Sequence, residues 1–196
     1  MAVWPFCTPN VRADEFSGLP SASVSLASGS KSKDPAWATF ASGTGNALYL
    51  AAGTLLPLAL DGKEGKDHSL RIADAVVTST VLASGLKILT HEKRPDGSNS
   101  QSFPSGHATA AFAVAAMQSH YHPKQALLWY GGATAIAVSR VSLQKHYWHD
   151  VAAGAALGYF TAQLELKQKR GFILRPFIES QGAQNRTTGL SLSRSF

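Results

Sequence analysis

Three short segments between residues 87 and 150 set the strongest constraint on how this chain can fold. The first, KILTHEKRP, runs from Lys87 to Pro95. The second is PSGH at residues 104–107, and the third is SRVSLQKHYWHD at residues 139–150. Together they offer fixed cations, histidines, a carboxylate and a glycine-bearing turn. These groups complement one another chemically if the fold gathers the three segments at one place, and we expect such a fold.

The apolar residues of the chain recur mainly at helical spacing. Ile72, Val76, Leu82, Leu86 and Leu89 follow this pattern and predict a long helix over about residues 69–90. Comparable patterns, with caps and prolines at their ends, predict the other helices at about 35–40, 46–60, 105–120, 123–140 and 150–169. The sequence therefore predicts an all-α fold, a compact bundle of about six helices.

The two ends of the chain differ in composition from the middle. Residues 17–33 contain seven serines together with glycine and proline, so residues 1–33 are predicted to be a flexible arm. Residues 34–170 are predicted to form the helical domain. In residues 171–196 an apolar stretch, Phe172–Ile178, precedes the turn-like QGAQN and a segment in which apolar and polar residues alternate. This pattern predicts a short C-terminal β-hairpin.

Charge and hydropathy narrow the classes of partner and the location. The net charge of +6 favours anionic partners, but no run of basic residues interleaved with aromatics points to nucleic acid. The solitary Cys7 excludes an internal disulfide bond. The apolar part of the longest uncharged stretch, Ala47–Leu60, is shorter than the ~20 residues that span a bilayer. We therefore expect a soluble bundle with buried helices, free or associated with a membrane surface.

The basic residues of the three segments suit the binding of a phosphate monoester. Such a dianion is best held by charge-assisted donors from several directions, and Lys87, Arg94 and Arg140 come from different elements. Gly106 lies at a predicted helix start, where free N–H groups and the positive end of the helix dipole face an anion. Ser105 adds a hydroxyl donor beside it.

Histidines and a carboxylate in the same segments suit nucleophilic catalysis. His146 and Asp150 are four residues apart and therefore share a helix face or meet at a helix start. A carboxylate bonded to one ring nitrogen fixes the tautomer and leaves the other nitrogen free to attack. His107 is a candidate general acid for the leaving oxygen. His149, beside Asp150, is a candidate pocket residue.

A metal site is the main rival use of the histidines. His120 with His122, or His146 with His149, are candidate ligands. Cysteine partners are absent from the sequence around them and carboxylates are sparse, so we expect no metal.

The three segments resemble the tripartite signature of the type 2 phosphatidic acid phosphatase superfamily. This superfamily includes bacterial acid phosphatases, lipid phosphatases and vanadium haloperoxidases. Its first two parts are matched by Lys87, Arg94 and Pro95 and by Pro-Ser-Gly-His at 104–107. Its third part is matched by Ser139, Arg140, His146 and Asp150.

The resemblance implies a helical core and a role for each matching residue. His146 would form a phosphohistidine, Asp150 would orient it, and His107 would be the acid and later the base. The phosphoryl oxygens would be bound by Lys87, Arg94, Ser105, Gly106 and Arg140. The implied enzyme is a metal-independent phosphatase acting on small or lipid phosphates, with vanadate as an inhibitor.

The sequence also leads to an expected location and to two alternatives to the phosphatase function. Residues 1–16 lack the basic and apolar regions of a secretory leader, so either the protein is cytoplasmic or its leader has been removed. Of these we expect a periplasmic enzyme whose leader is not in this chain. One alternative is a vanadium-dependent haloperoxidase, because vanadate mimics the pentacovalent phosphorus intermediate. The other is a non-catalytic phosphate- or lipid-binding module, although binding alone does not need a nucleophile.

Overall fold

The fold is all-α, as predicted. The structure, a computed structural model, describes residues 34–168 and 171–172. In this part of the chain it contains six α-helices and one short 3-10 helix, and no strand. The helices are α1 (Ala36–Ser42), α2 (Thr44–Leu60), α3 (Gly65–Thr90), α4 (Gly106–Tyr121), α5 (Ala126–Ser142) and α6 (Trp148–Lys167), with the 3-10 helix at Pro123–Gln125. The predicted N-terminal arm, and the predicted hairpin beyond Phe172, lie outside the described residues.

Helix α4 occupies the centre of the bundle. It packs against α3, α5 and α6, and the residues from Ala108 to Gln118 are buried except Phe112. Most of these residues are alanines, whose small side chains allow the neighbouring helices to approach closely. Val114 and Met117 fill the remaining space and contact the core residues of the other helices.

The contact between α4 and α6 depends on two glycines spaced four residues apart. A Cβ atom on Gly158 would lie 2.1 Å from the Thr109 carbonyl oxygen, and one on Gly154 would lie 2.5 Å from that of Ser105. Both distances are far inside van der Waals contact, so the two backbones touch at these positions. The close approach places the N-terminal ends of α4 and α6 side by side.

The apolar residues whose spacing predicted α3 do not all face the core. Ile72 is fully buried as expected, but Leu86 and Leu89 are exposed to 37% and 79%. Small residues such as Ser79 and Ala83 line the buried face instead. The alanine-rich surface of α4 leaves little room for leucine at close helix separation, so small residues face it and the larger side chains point outward.

Many other apolar side chains are also exposed. Leu60 of α2 and Leu127 of α5 are exposed to 68% and 88%, although the sequence pattern predicted that both helices are buried. The prediction is wrong for these leucines. One face of each helix packs against the core, and the opposite face, which carries these leucines, remains exposed. Among the helices described, α3 alone is long and apolar enough, by length and composition, to cross a membrane.

Candidate functional site

The predicted site residues meet at one end of the bundle. The end of α3, the loop after it, the starts of α4 and α6, and the last turn of α5 all converge there. They bring together Lys87, Arg94, Ser105, Gly106, His107, Arg140, His146 and Asp150. The main-chain N–H of Ser105 donates to the main-chain carbonyl of Asp150 at 3.0 Å, which joins two of the three segments directly.

His146 and Asp150 form a buried pair. The exposed fraction is 2% for the His146 side chain and 0% for that of Asp150, and Nδ1 lies 3.3 Å from Oδ2. The main-chain N–H of Tyr147 donates to the same Oδ2 at 2.9 Å, and Asp150 is the third residue of α6. A carboxylate facing Nδ1 favours the tautomer with the proton on Nδ1 and leaves the lone pair on Nε2.

The three cations act on one another as well as on the histidines. Burial, and next the neighbouring Arg94 guanidinium, lowers the pKa of Lys87 to about 8. Burial and Arg94 likewise lower the pKa of Arg140. The Lys87 ammonium donates to the carbonyl oxygens of Gln101 at 2.8 Å and Ser102 at 3.1 Å. Like charges held together in this way favour the binding of an anion.

Both candidate catalytic histidines have depressed pKa values. Burial, followed by the positive charge of Arg140, lowers the pKa of His107 to about 4. Burial, followed by the charges of Lys87 and Arg140, also lowers the pKa of His146. Both imidazoles are therefore neutral at neutral pH, and a neutral imidazole is the form that can act as a nucleophile.

Several buried donors at the site have no hydrogen-bond partner within the described protein. They are Nε of Arg94, Nε of Arg140 and Oγ of Ser105. Buried polar groups are normally bonded, and unbonded ones call for an explanation. Here they lie beside the N-terminus of α4, where the free N–H groups and the helix dipole also favour an anion. A bound phosphoryl group would satisfy these donors together.

Sequence reasoning missed two serines that contact the site. Arg140 donates from Nη1 to the hydroxyl of Ser42, and the main chain of Ser42 lies beside His107. The hydroxyl of Ser102 donates to Oδ2 of Asp150. Ser42 lies in α1, far from the three segments along the chain, and no sequence pattern marks it. Ser102 stands two residues before Pro104, but its partner is known only from the fold.

A cavity of about 230 Å³ opens beside the nucleophile candidate. It is lined by Pro95, Val141, Gln144, His146, Tyr147 and Trp148. The Trp148 side chain, exposed to 64%, stands at its rim. The cavity therefore offers apolar and aromatic surface at His146, although His146 is the one predicted site residue that lines it.

Potential metal ligands form one group of three among the described residues. The group is Glu92, His149 and Asp150, whose ligand atoms lie within 4.8 Å of one another. His149 Nε2 lies 2.8 Å from Glu92 Oε1 and 3.1 Å from Asp150 Oδ1. Of the histidines predicted as candidate metal ligands, the group contains His149. It does not contain His146, His120 or His122. The expected absence of a metal stays a prediction.

The fold and the site together define an all-α protein with three cations gathered at one end beside a buried His-Asp pair. A sequence model of the PAP2 superfamily matches residues 69–173, which is more than half of the chain. The chain belongs to the PAP2 superfamily. The resemblance to the type 2 phosphatidic acid phosphatase superfamily is thereby confirmed.

Individual proteins match shorter parts of the chain. A lipid A 1-phosphatase of Porphyromonas gingivalis is 35% identical over 75 residues, covering 36% of this chain and 17% of that protein. The bacitracin transport permease protein BcrC of Bacillus licheniformis is 41% identical over 61 residues, covering 31% of this chain and 30% of that protein. The chain thus spans less than a third of the length of either curated relative.

A solved structure supports the fold. The crystal structure of Aquifex aeolicus LpxE matches with a TM-score of 0.56 and 24% sequence identity. The match covers 70% of this chain and 89% of that one. The helical arrangement is therefore shared across most of the solved protein.

Proposed function

We propose that this protein is a phosphatase that hydrolyses phosphomonoesters, lipid phosphates among them, through a phosphohistidine on His146. The observation that carries the proposal is the buried pair, in which Nδ1 of His146 faces Oδ2 of Asp150 at 3.3 Å. This arrangement leaves Nε2 free to attack phosphorus. Membership of the PAP2 superfamily supports a phosphatase in general.

The cations bind the phosphoryl group and stabilise the charge that develops on its oxygens. Arg94 and Arg140 have buried, unpartnered Nε–H groups, and Lys87 adds a third positive charge. The Ser105 hydroxyl and the Gly106 amide complete the clamp at the start of α4. Donors fixed before the reaction stabilise a transition state without reorganisation cost at the moment of reaction. The clamp supplies these charges from the protein, and the proposed mechanism uses no metal.

His107 moves the protons in both half-reactions. When Nε2 of His146 bonds to phosphorus, the bond to the leaving oxygen breaks and His107 protonates that oxygen. In the second half, neutral His107 takes a proton from water, the water oxygen bonds to phosphorus, and the His146–phosphorus bond breaks. Burial, followed by the charge of Arg140, lowers the pKa of His107 in the free protein. A bound phosphoryl dianion offsets that charge and restores the proton that the first step needs.

A lipid phosphate is the substrate class that the surroundings of the site favour. The cavity beside His146 is bordered by Pro95, Val141 and Trp148, which suit an apolar substituent on the phosphate. The exposed Ile88 and Leu89 follow Lys87 directly in α3. One matching relative is named a lipid A 1-phosphatase. We place the enzyme in the periplasm, with its site facing a membrane surface.

The test combines activity with trapping of the intermediate. Wild-type protein should release phosphate from p-nitrophenyl phosphate and from phosphatidate, with inhibition by vanadate, which mimics the five-coordinate transition state. His146→Ala should lose at least about 10³-fold of kcat. His120→Ala, an exposed histidine at the other end of α4, is the matched control and should keep the wild-type rate. Wild-type turnover by His146→Ala would reject the phosphohistidine, and phosphate binding without turnover would indicate a binding module.

A further inference from the structure

Asp150 is held by more donors than its pairing with His146 requires. Oδ2 accepts from the Tyr147 main-chain N–H at 2.9 Å and from the Ser102 hydroxyl, and it faces Nδ1 of His146 at 3.3 Å. The carboxylate is fully buried, so its orientation is set by contacts with protein groups and not by solvent. Whatever turns this carboxylate also turns the imidazole that it faces.

Ser102 differs from the other fully buried serines whose hydroxyls have a partner. Ser79 and Ser139 are equally buried, and each donates its hydroxyl to a main-chain carbonyl three residues earlier in its own helix. The hydroxyl of Ser102 instead donates to the carboxylate of Asp150, which is 48 positions away in the sequence. A hydroxyl bonded to an ionised acceptor is also the stronger kind of hydrogen bond. The hydrogen bond of Ser102 therefore links two separate segments of the chain, whereas those of Ser79 and Ser139 lie within one helix.

The backbone of Ser102 is fixed by the same site. Its N–H donates to the Glu92 carbonyl at 2.9 Å, and its carbonyl accepts from the Lys87 ammonium at 3.1 Å. The side chain of Glu92 in turn bonds His149 at 2.8 Å, and His149 Nε2 lies 3.1 Å from the second oxygen of Asp150. Ser102 thus sits between the phosphate clamp and the carboxylate.

We propose that Ser102 is a positioning residue, which fixes the Asp150 carboxylate and thereby the tautomer and orientation of His146. The proposal rests on the proposed function, since it names a further residue that serves the same nucleophile. Ser102 touches neither the substrate nor the attacking nitrogen and acts through Asp150. Outer contacts that orient the ligands of metal sites change activity by about 10- to 100-fold. We expect a similar loss here, because small misplacements of the reacting atom are costly.

The first part of the test measures the ring of His146 without any turnover. In protein labelled with ¹⁵N histidine, the wild-type His146 should show the tautomer protonated at Nδ1. Ser102→Ala should shift both ring nitrogen signals towards a mixture of tautomers, and Ser79→Ala should leave them unchanged. Identical His146 signals in wild-type and Ser102→Ala protein would overturn the proposal. Because this readout needs no substrate, it stands even if the protein proves not to be a phosphatase.

The second part separates positioning from a general effect on the fold. Ser102→Ala should lower kcat on p-nitrophenyl phosphate about 10- to 100-fold with little change in KM. In an Asp150→Asn background the same substitution should change kcat less than about twofold, because its effect passes through the carboxylate. Equal losses in both backgrounds would overturn the proposal. Ser102→Cys, which nearly keeps the volume and weakens the donor, should give the same pattern and replaces the alanine variant if that variant does not fold.

Discussion

The main-chain N–H of Ser105 donates to the main-chain carbonyl of Asp150 at 3.0 Å, so the Pro-Ser-Gly-His turn and the residue that bears the buried carboxylate share one backbone contact. The contact exists because α4 and α6 approach each other at glycine positions. Gly154 lies one turn after Asp150, and its missing side chain makes room for the carbonyl of Ser105. The geometry of the site thus depends on residues that have no chemical function of their own.

Gly158→Ala should destabilise the protein because the new Cβ would lie 2.1 Å from the Thr109 carbonyl oxygen. Both atoms belong to packed helices, and separating them costs about 1–3 kcal/mol. Urea or thermal denaturation measures the change, and the melting temperature should fall by about 2–4 °C per kcal/mol. Phosphatase activity should fall as well, since the starts of α4 and α6 would move apart.

Gly131→Ala in α5 is the matched control, because a Cβ there meets no atom within 4 Å. It should leave stability unchanged or raise it by up to about 1 kcal/mol through helix propensity. A Gly158→Ala variant as stable as Gly131→Ala would contradict the close approach of α4 and α6.

The sequence predicted which residues form the site better than it predicted which face of each helix is buried. Lysine, arginine, histidine and aspartate at fixed spacings indicate their chemistry by residue type, and the fold brings His107, His146 and the cations together as expected. The roles assigned to them stay predictions. The apolar spacing that predicted α3 did not indicate which face is buried, because leucine does not face the core there. Small residues of α3 pack closely against the alanines of α4 instead, and Leu89 faces outward.

Ser42 shows a different limit. Its hydroxyl accepts a hydrogen bond from Arg140, and its main chain lies beside His107. The contact joins residues 98 positions apart and follows from how α1 packs against α5. A serine near a helix end has no local signal for such a role, so only the tertiary structure reveals it.

His107 should titrate well below the usual histidine range in the free protein and rise when an anion binds. Burial and the charge of Arg140 lower its pKa to about 4. Removing a positive neighbour, or neutralising it with bound phosphate or vanadate, favours the protonated imidazole and raises the pKa. Arg140→Gln should therefore raise the pKa of His107, as measured by NMR titration of its ring nitrogens.

Lys124→Gln removes the same charge from an exposed position on the short 3-10 helix and serves as the control. It should leave the His107 titration unchanged. A His107 pKa near 6.5 in the free wild-type protein would refute the predicted influence of burial and of Arg140.

Trp148→Ala should discriminate between lipid and small substrates. The indole stands at the rim of the cavity beside His146, where it can cover the apolar part of a lipid phosphate. Truncating an aromatic contact of this kind costs about 1–3 kcal/mol, or roughly 10- to 100-fold. We expect that loss in kcat/KM for a short-chain phosphatidate and much less for p-nitrophenyl phosphate.

Leu127→Ala tests whether any exposed apolar residue would have the same effect. Leu127 is 88% exposed in the first turn of α5, at the opposite end of that helix from Arg140. Its removal should leave both substrates unaffected. Equal losses on both substrates in Trp148→Ala would show that the indole supports the fold of the site, not the lipid.

Stability should decline as the pH rises from about 4 to about 7 because of Glu165. This side chain is fully buried in α6, with Oε1 3.5 Å from Nε of Arg71. Burial, and next the charge of Asp74, raises the pKa of Glu165 to about 7. The folded protein therefore keeps a proton on this group at pH values where the unfolded chain, with a pKa of about 4.3, has lost it. The stabilisation is complete below the unfolded pKa and is lost as the pH rises through the folded one.

Glu165→Gln mimics the protonated form and should remove this pH dependence. Its melting temperature should exceed that of the wild type at about pH 8, while the two should converge near pH 4, below the unfolded pKa of the carboxyl. Glu64→Gln, which changes a side chain exposed to 80%, should leave the wild-type pH dependence in place. If Glu165→Gln and wild type lost stability in parallel between these pH values, the ionised carboxylate would be stable in the folded state. The attraction between Arg71 and the Glu165 carboxylate, which lowers the pKa of Glu165, would then outweigh the effect of burial, which raises it.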